Sequence, residues 1–286
     1  MKEGIKMPNP FTDDKGNPTV SMTEAGENLS NDLKRLMNGL GNLDEILNPE
    51  DNILLKPNIN SWHESPAAVD PGFLTSFIDF LRAEGYSNLT VAECSGRHWA
   101  PTEKVVEKKG LLPLLKERRV PFVNLENVEW KKFQTGGQHL PEVHLPKILG
   151  DYDKLIFTPN LKTHGNTGFT VALKLAMGLT PLKDREKFHQ GSVSGAVADL
   201  ARVVWPDLVV VDGRKAFIDG GPTFGTAAEP GVLLACGDPV ACDIQAVKVL
   251  QQWGAQAHLG TSDPYECELI AHMKDKLPED INLKEV

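Results

Sequence analysis

Four side chains able to move protons, ligate a metal or form a covalent bond fall in two stretches of the chain. His98 closes VAECSGRH, and His164, Lys174 and His189 share KLIFTPNLKTHGNTGFTVALKLAMGLTPLKDREKFHQG. Imidazole titrates near neutral pH, so one ring can accept a proton while another donates, and the neutral ring is a common metal ligand. Lys174 stands in the apolar run VALKLAMGL, where a buried ammonium is costly without a partner or a task. Each has a bland alternative. For His98 and His164 it is a polar cap at a strand end, and for Lys174 a side chain that snorkels to solvent. For His189 it is a surface imidazole in the charged segment KDREKFHQG. His63, His139, His144, His258 and His272 fall into no comparable arrangement.

Such residues need a rigid frame, and the order of elements supplies one. ILLKPNI (Ile53–Ile59), LTVAEC (Leu89–Cys94), PFVNL (Pro121–Leu125), KLIFTP (Lys154–Pro159), DLVVVDG (Asp207–Gly213) and GVLLACGD (Gly231–Asp238) are short apolar runs that read as buried strands. Helices are expected over 72–84, 102–119, 168–177 and 195–204 and from Pro239 to about Trp253, with an amphipathic stretch near Leu29–Met37. The polar segment 126–138 reads as a hairpin or excursion. This alternation predicts an α/β fold with a mainly parallel sheet and helices on both faces, as one continuous sheet or as two lobes with a cleft between them. The expected division is an N-terminal extension and first helix over 1–50, a first α/β half over 51–150 and a second over 151–286.

Ligands of open α/β sheets bind beyond the carboxyl ends of strands, which singles out Lys56, Asn58, Arg97, His98, Lys162, His164, Asp212 and Asp238. The helix after His164 is expected to offer free N–H groups to an anion. Asp238 before Pro239 fits an N-cap followed by proline at the first helical position, and Asp243, one turn on, is a candidate to face the cleft. The glycine-rich segment DGGPTFGTAAEPG matches neither the P-loop nor the dinucleotide fingerprint and is expected to shape one cleft wall.

Composition narrows the function classes. The 286 residues hold 30 basic and 39 acidic side chains, and a pI near 5.4 argues against nucleic acid and anionic membrane as partners. A small-molecule substrate is the expected partner. No run approaches the roughly 20 apolar residues of a membrane span, and the N-terminus is too polar for a signal peptide, so a cytoplasmic protein is expected. Cys94, Cys236, Cys242 and Cys267 are scattered without a CxxC, which disfavours a zinc-ribbon or iron–sulfur site in the chain itself.

The segments ILLKPNI, VAECSGRH, TPNLKTHGNTGFTVALKLAMG, DLVVVDG with GGPTFG, and LLACGDPVACD, in this order over about Ile53 to Gly254, resemble the motif series of the family called domain of unknown function 362. Many of its members carry an appended ferredoxin-like cluster domain, which implies an iron–sulfur partner for a chain that lacks one.

A more distant resemblance is to nickel-pincer lactate racemase, where a first His follows a strand, a second His follows a later strand, a Lys tethers a pyridinium cofactor and a further His completes the nickel coordination. That resemblance implies His98 and His164 as paired acid/base groups, Lys174 as covalent anchor of a nickel-pincer nucleotide or other metal cofactor, and His189 as metal ligand. It also implies a cofactor-maturation partner. The racemase Arg that holds the substrate carboxylate has no counterpart in Lys56-Pro57-Asn58, so substrate binding is assigned to Lys56, Asn58, Arg97 and Lys162. Two function classes follow: a metal- or nickel-pincer-dependent isomerase (racemase or epimerase) of a small 2-hydroxy acid or related polyol, and a non-catalytic or redox-accessory protein that binds a metal or anion alongside an iron–sulfur partner.

Overall fold

Successive residues of a strand point to opposite faces, and a sheet covered on both sides is apolar on both. Ile53 and Leu55 join one core while Leu54 joins the other; Leu208 and Val210 separate in the same way from Val209 and Val211. The computed structural model describes residues 9–96 and 99–286. Its strands are β1 (Thr19–Glu24), β2 (Ile53–Pro57), β3 (Leu89–Glu93), β4 (Phe122–Asn124), β5 (Trp130–Gln134), β6 (Glu142–Pro146), β7 (Lys154–Thr158), β8 (Asn160–His164), β9 (Gly168–Thr170), β10 (Leu208–Gly220), β11 (Gly225–Ala228), β12 (Val232–Cys236) and β13 (Asn282–Glu285).

One continuous sheet runs β13-β1-β12-β10-β7-β2-β3-β4, with β8 and β11 paired to β10 and β9 paired to β8. The question of one sheet or two lobes is thereby answered. Helices α1 (Leu29–Leu40), α2 (Pro71–Ala83), α3 (Thr102–Lys108) and α4 (Leu111–Glu117) pack on one face. Helices α5 (Ala172–Leu175), α6 (Leu182–Arg185), α7 (Val193–Ala201) and α8 (Pro239–Gln252) follow, and α5, α7 and α8 cover the other face. The fold is α/β, and the run β10-β7-β2-β3-β4 is parallel throughout. Among the described residues no helix is long and apolar enough to cross a membrane.

Several details differ from expectation. The segment before residue 50 contributes β1 to the sheet, antiparallel to β12. The helix expected over 102–119 breaks at Gly110, whose φ of 68° is left-handed. Residues 168–170 pair with β8 instead of opening a helix. Because β10 returns directly through β11 with no helical crossover, β12 lies antiparallel to β10. Strands β5 and β6 form a separate hairpin, of which only β5 falls in the segment 126–138 expected as a hairpin or excursion.

Candidate active site

Beyond the carboxyl ends of β2, β3 and β8 opens a cleft of ≈ 260 Å³ whose walls include Lys56, Asn58, Glu93, Lys162, His164, Lys174, Arg185 and His189. Strand β8 delivers His164 at its last position, and the tight turn Gly165–Thr167 folds β9 back against it, so α5 starts beside the same strand end. This reversal joins two residues ten apart in sequence: Lys174 Nζ lies 2.6 Å from His164 Nε2.

The directions of the surrounding hydrogen bonds assign the proton between them. The backbone N–H of Asn166 donates to His164 Nδ1 at 3.0 Å, so Nδ1 is an acceptor and the neutral ring carries its hydrogen on Nε2. That hydrogen points at Lys174 Nζ, which must therefore accept through a lone pair, as a neutral amine. Lys174 in turn donates to Thr167 Oγ1 at 3.2 Å, and the Thr167 hydroxyl donates to the carbonyl of Phe169 at 2.7 Å. The chain of donors and acceptors closes without a charge. Burial, and then the nearby Lys162, hold the Lys174 ammonium well below the usual lysine range. Burial above all, with the cationic Lys162 adding to it, pushes His164 down to about 3. Lys174 is 9% exposed; it does not snorkel to solvent.

The helix carrying Lys174 is anchored from below. Asp243 on α8 accepts from the backbone N–H groups of Ala172 at 2.7 Å and Leu173 at 3.2 Å. A carboxylate from another element thus caps this short helix and complements its positive end. The expectation that these N–H groups are free for an anionic ligand is corrected: Asp243 occupies them. Burial pushes the Asp243 carboxyl up to about 7 against the pull of the two amides.

The cleft floor is a buried ion pair. Lys56, 0% exposed, meets Glu93 Oε1 at 2.8 Å and donates to the carbonyl of Pro57 at 2.8 Å. Glu93 also accepts from the backbone N–H groups of Cys94 at 2.8 Å and Ile59 at 2.7 Å. Burial lowers the Lys56 ammonium from its usual range while Glu93 supports it. Gly178 sits against this pair, since a Cβ there would fall 2.4 Å from Lys56 Nζ. Arg185 turns inward and donates to the carbonyls of Cys94, Ser95 and Thr180. Gly96, at a φ of 68°, makes room for it, because a Cβ there would overlap the guanidinium.

Three of the residues assigned to substrate binding, Lys56, Asn58 and Lys162, already have protein partners. Lys56 is paired as above, Asn58 donates to Asn160 Oδ1 at 3.0 Å and to the carbonyl of Ala67 at 3.3 Å, and Lys162 donates to the carbonyls of Ala67 and Pro222. His189 is exposed and lines the same cleft. Arg97 and His98 lie outside the described residues. Asp212 pairs with Arg214 at 2.8 Å, and Asp238 caps α8 as expected. The glycine-rich segment forms the β10–β11 hairpin and brings Pro222 to the cleft wall. All four cysteines are buried and unpaired with one another.

Sequence reasoning missed Glu93 and Arg185. Arg185 was hidden in a segment that reads as surface charge, whereas Glu93, a lone acid closing an apolar strand, did carry a signal. Among the described residues the walls carry the cationic side chains Lys56, Lys162 and Arg185 against one carboxylate, Glu93. In a chain of net charge −9 such a cleft concentrates anions.

A family model described as Domain of unknown function (DUF362) matches residues 53–248, well over half of the chain. The chain belongs to this family. The DUF362 match runs from β2 to within α8 and so takes in every wall residue named above. Over 284 residues the chain is 27% identical to the thylakoid-associated protein sll1697 of Synechocystis, covering 92% of this chain and 85% of that protein. Two solved structures are similar to this DUF362 chain. One is a Thermotoga maritima protein at 17% identity and a TM-score of 0.44, covering 64% of this chain. The other is the lactate racemase apoprotein of Thermoanaerobacterium thermosaccharolyticum, at 13% identity and a TM-score of 0.49, covering 88% of this chain. The chain spans 51% and 58% of the lengths of these two proteins.

Proposed function

We propose that the protein is an isomerase of small 2-hydroxy acids, working in the cytoplasm, in which Lys174 is the point of covalent attachment for a resident group and the cationic cleft binds the substrate carboxylate. The observation that carries this reading is the uncharged hydrogen-bond chain through His164, Lys174 and Thr167. A neutral amine held by an imidazole N–H forms a bond to an electrophilic carbon by giving up one hydrogen bond, without first losing a proton.

The residues fit a nickel-pincer nucleotide. Among the described residues no group of three or more His, Cys, Asp or Glu side chains is arranged to hold a metal, but a pincer brings its own donors and needs a lysine to tether it and one imidazole to complete it. Lys174 and His189 open onto one cleft, and nickel accepts imidazole together with soft sulfur. When bound, such a group would supply an electrophilic sink for the electron pair left when the substrate's α carbon loses its proton.

With its nitrogen engaged in holding the group, Lys174 would no longer accept a hydrogen bond, and the Nε2–H of His164 would be free to donate to a substrate oxygen. The bond from Asn166 to Nδ1 keeps His164 in the donor tautomer, so it polarises that oxygen rather than taking a proton. The base is then His98, and the symmetric acid/base roles expected of the two imidazoles become unequal ones. Arg185, Lys162 and Lys56 supply the positive field that holds the carboxylate, in place of a bidentate clamp.

The test is intact mass and metal content of protein purified from its native source, followed by solvent-deuterium exchange at the α carbon of 2-hydroxy acids. A covalent adduct that maps to Lys174 and is lost in Lys174→Ala, with exchange lost alongside it, supports the reading. An unmodified Lys174 in protein that still catalyses exchange overturns it.

A further inference from the structure

Four aromatic rings form a continuous chain close in sequence to the cleft walls. Trp99 meets Trp62 edge-on at 5.7 Å, Trp62 stacks on His63 at 5.9 Å, and His63 meets Phe224 edge-on at 5.0 Å. Each ring lies two or three positions after a cleft wall residue, Trp62 and His63 after Asn60, Trp99 after Gly96 and Phe224 after Pro222. Two residues of extended chain reach about 7 Å, so the rings border the opening through which any ligand must pass. Trp99 and Phe224 are 55% and 75% exposed, and large apolar rings left in water in one contiguous group mark a binding surface.

A second observation points to a ligand at the same place. Asn60 Oδ1, Ser61 Oγ and His63 Nδ1 are buried and have no hydrogen-bond partner among the described residues. Buried polar atoms are ordinarily satisfied, and here three of four consecutive residues are not. Asn60 Oδ1 is an acceptor and lines the cleft, so what it lacks is a donor.

We propose that this mouth determines specificity and takes the aromatic ring of an aryl-bearing 2-hydroxy acid, with a donor on the ring, such as a phenol O–H, directed at Asn60. The inference rests on the reading of the cleft as a 2-hydroxy-acid site and names its substrate class: the carboxylate goes inward to the basic walls, and the ring goes outward to Trp62, His63 and Phe224. Lys108 and Lys104, 4.1 and 5.7 Å from the Trp62 ring centre, steady Trp62 by cation–π attraction, and Lys109 holds His63 through its carbonyl at 2.6 Å.

The experiment is calorimetric binding of lactate, phenyllactate and 4-hydroxyphenyllactate to natively purified protein and its variants. Phenyllactate should bind at least about tenfold tighter than lactate, and the hydroxyl should add a further several-fold. Phe224→Ala, at an exposed position where folding is undisturbed, should erase most of the phenyl preference and leave lactate unchanged. Asn60→Ala should remove only the gain from the hydroxyl. Equal affinity for lactate and phenyllactate overturns the inference while leaving the proposed function intact, as does a Phe224→Ala variant that weakens both acids alike. Failure of all three acids to bind overturns both.

Discussion

Replacing Lys174 by Met, close in size and apolar, removes the amine that the hydrogen-bond directions require to be neutral, and the wild-type amine can be tested directly by its reactivity. An ordinary lysine, with a pKa near 10.4, is neutral in only about one molecule in 2,500 at pH 7, and that fraction rises about a hundredfold by pH 9. If Lys174 is already neutral at pH 7, its neutral fraction has no such room to grow, and its advantage over surface lysines at that pH approaches about a thousandfold. The assay is timed carbamoylation with cyanate, small enough for the cleft of ≈ 260 Å³, with modified lysines located by peptide mass spectrometry at pH 7, 8 and 9 and each rate divided by the concentration of isocyanic acid, the reactive form, at that pH. Lys174 should modify at rates within a few-fold of one another across this range, while exposed lysines such as Lys131 and Lys132 climb with pH. Lys174→Met should lack the fast-reacting site and change no other rate. A Lys174 rate that climbs as steeply as those of the surface lysines would refute the proton assignment, and with it the idea of a ready nucleophile.

Three further outcomes follow from the same geometry. In Glu93→Gln the buried Lys56 loses its counter-charge, so denaturant unfolding should show a loss of roughly 3–5 kcal/mol, whereas the joint replacement Lys56→Met with Glu93→Leu should recover most of it; an unchanged midpoint in the single variant would refute the account of the floor. Asp243→Asn can satisfy only one of the two amides it now serves, so a loss of about 1–2 kcal/mol is expected together with slower carbamoylation of Lys174, and an unaltered labelling rate would show that the cap does not position the amine. His164 takes up its proton near 6.5 when unfolded and at about 3 when folded, so its contribution to stability is full above pH 6.5 and is lost as the pH falls toward 3. With Lys174 already neutral, burial carries the depression, so in Lys174→Met the His164 titration, followed by NMR, should stay well below the usual imidazole range, and a return to near 6.5 would show that Lys174 was charged.

The strands were legible because each is a short apolar run, and Ile53–Pro57, Leu89–Glu93, Lys154–Thr158 and Val232–Cys236 are readable from that alone. TVSMTE was not, since its apolar residues are few and its place beside β12 depends on a partner more than 200 residues away. Lys174 drew notice as a lone charge in an apolar run, and the strand end at His164 was visible. That the two touch depends on the turn in HGNTG, whose glycines and Asn are the signal of a tight reversal that the helical pattern after it obscured. Arg185 could not be read in advance: its segment looks like a solvated surface, and only the three-dimensional path shows its guanidinium against three carbonyls. Asp243 was legible as a residue facing inward but not as a cap, because helix α5 begins four residues later than the sequence pattern suggests.

Glu93 has a consequence for how the cleft can diversify. One oxygen grips Lys56 and the other the backbone of Ile59, where the loop bearing Trp62 and His63 departs, while Gly178 leaves no slack against the same pair. The bottom of the cleft and the roots of its border loops are therefore riveted into one block, and the tips of those loops lie beyond the rivet. Tips can be exchanged between relatives to admit a different outer group without disturbing the amine below, whereas a change at the rivet itself must alter chemistry and selectivity together.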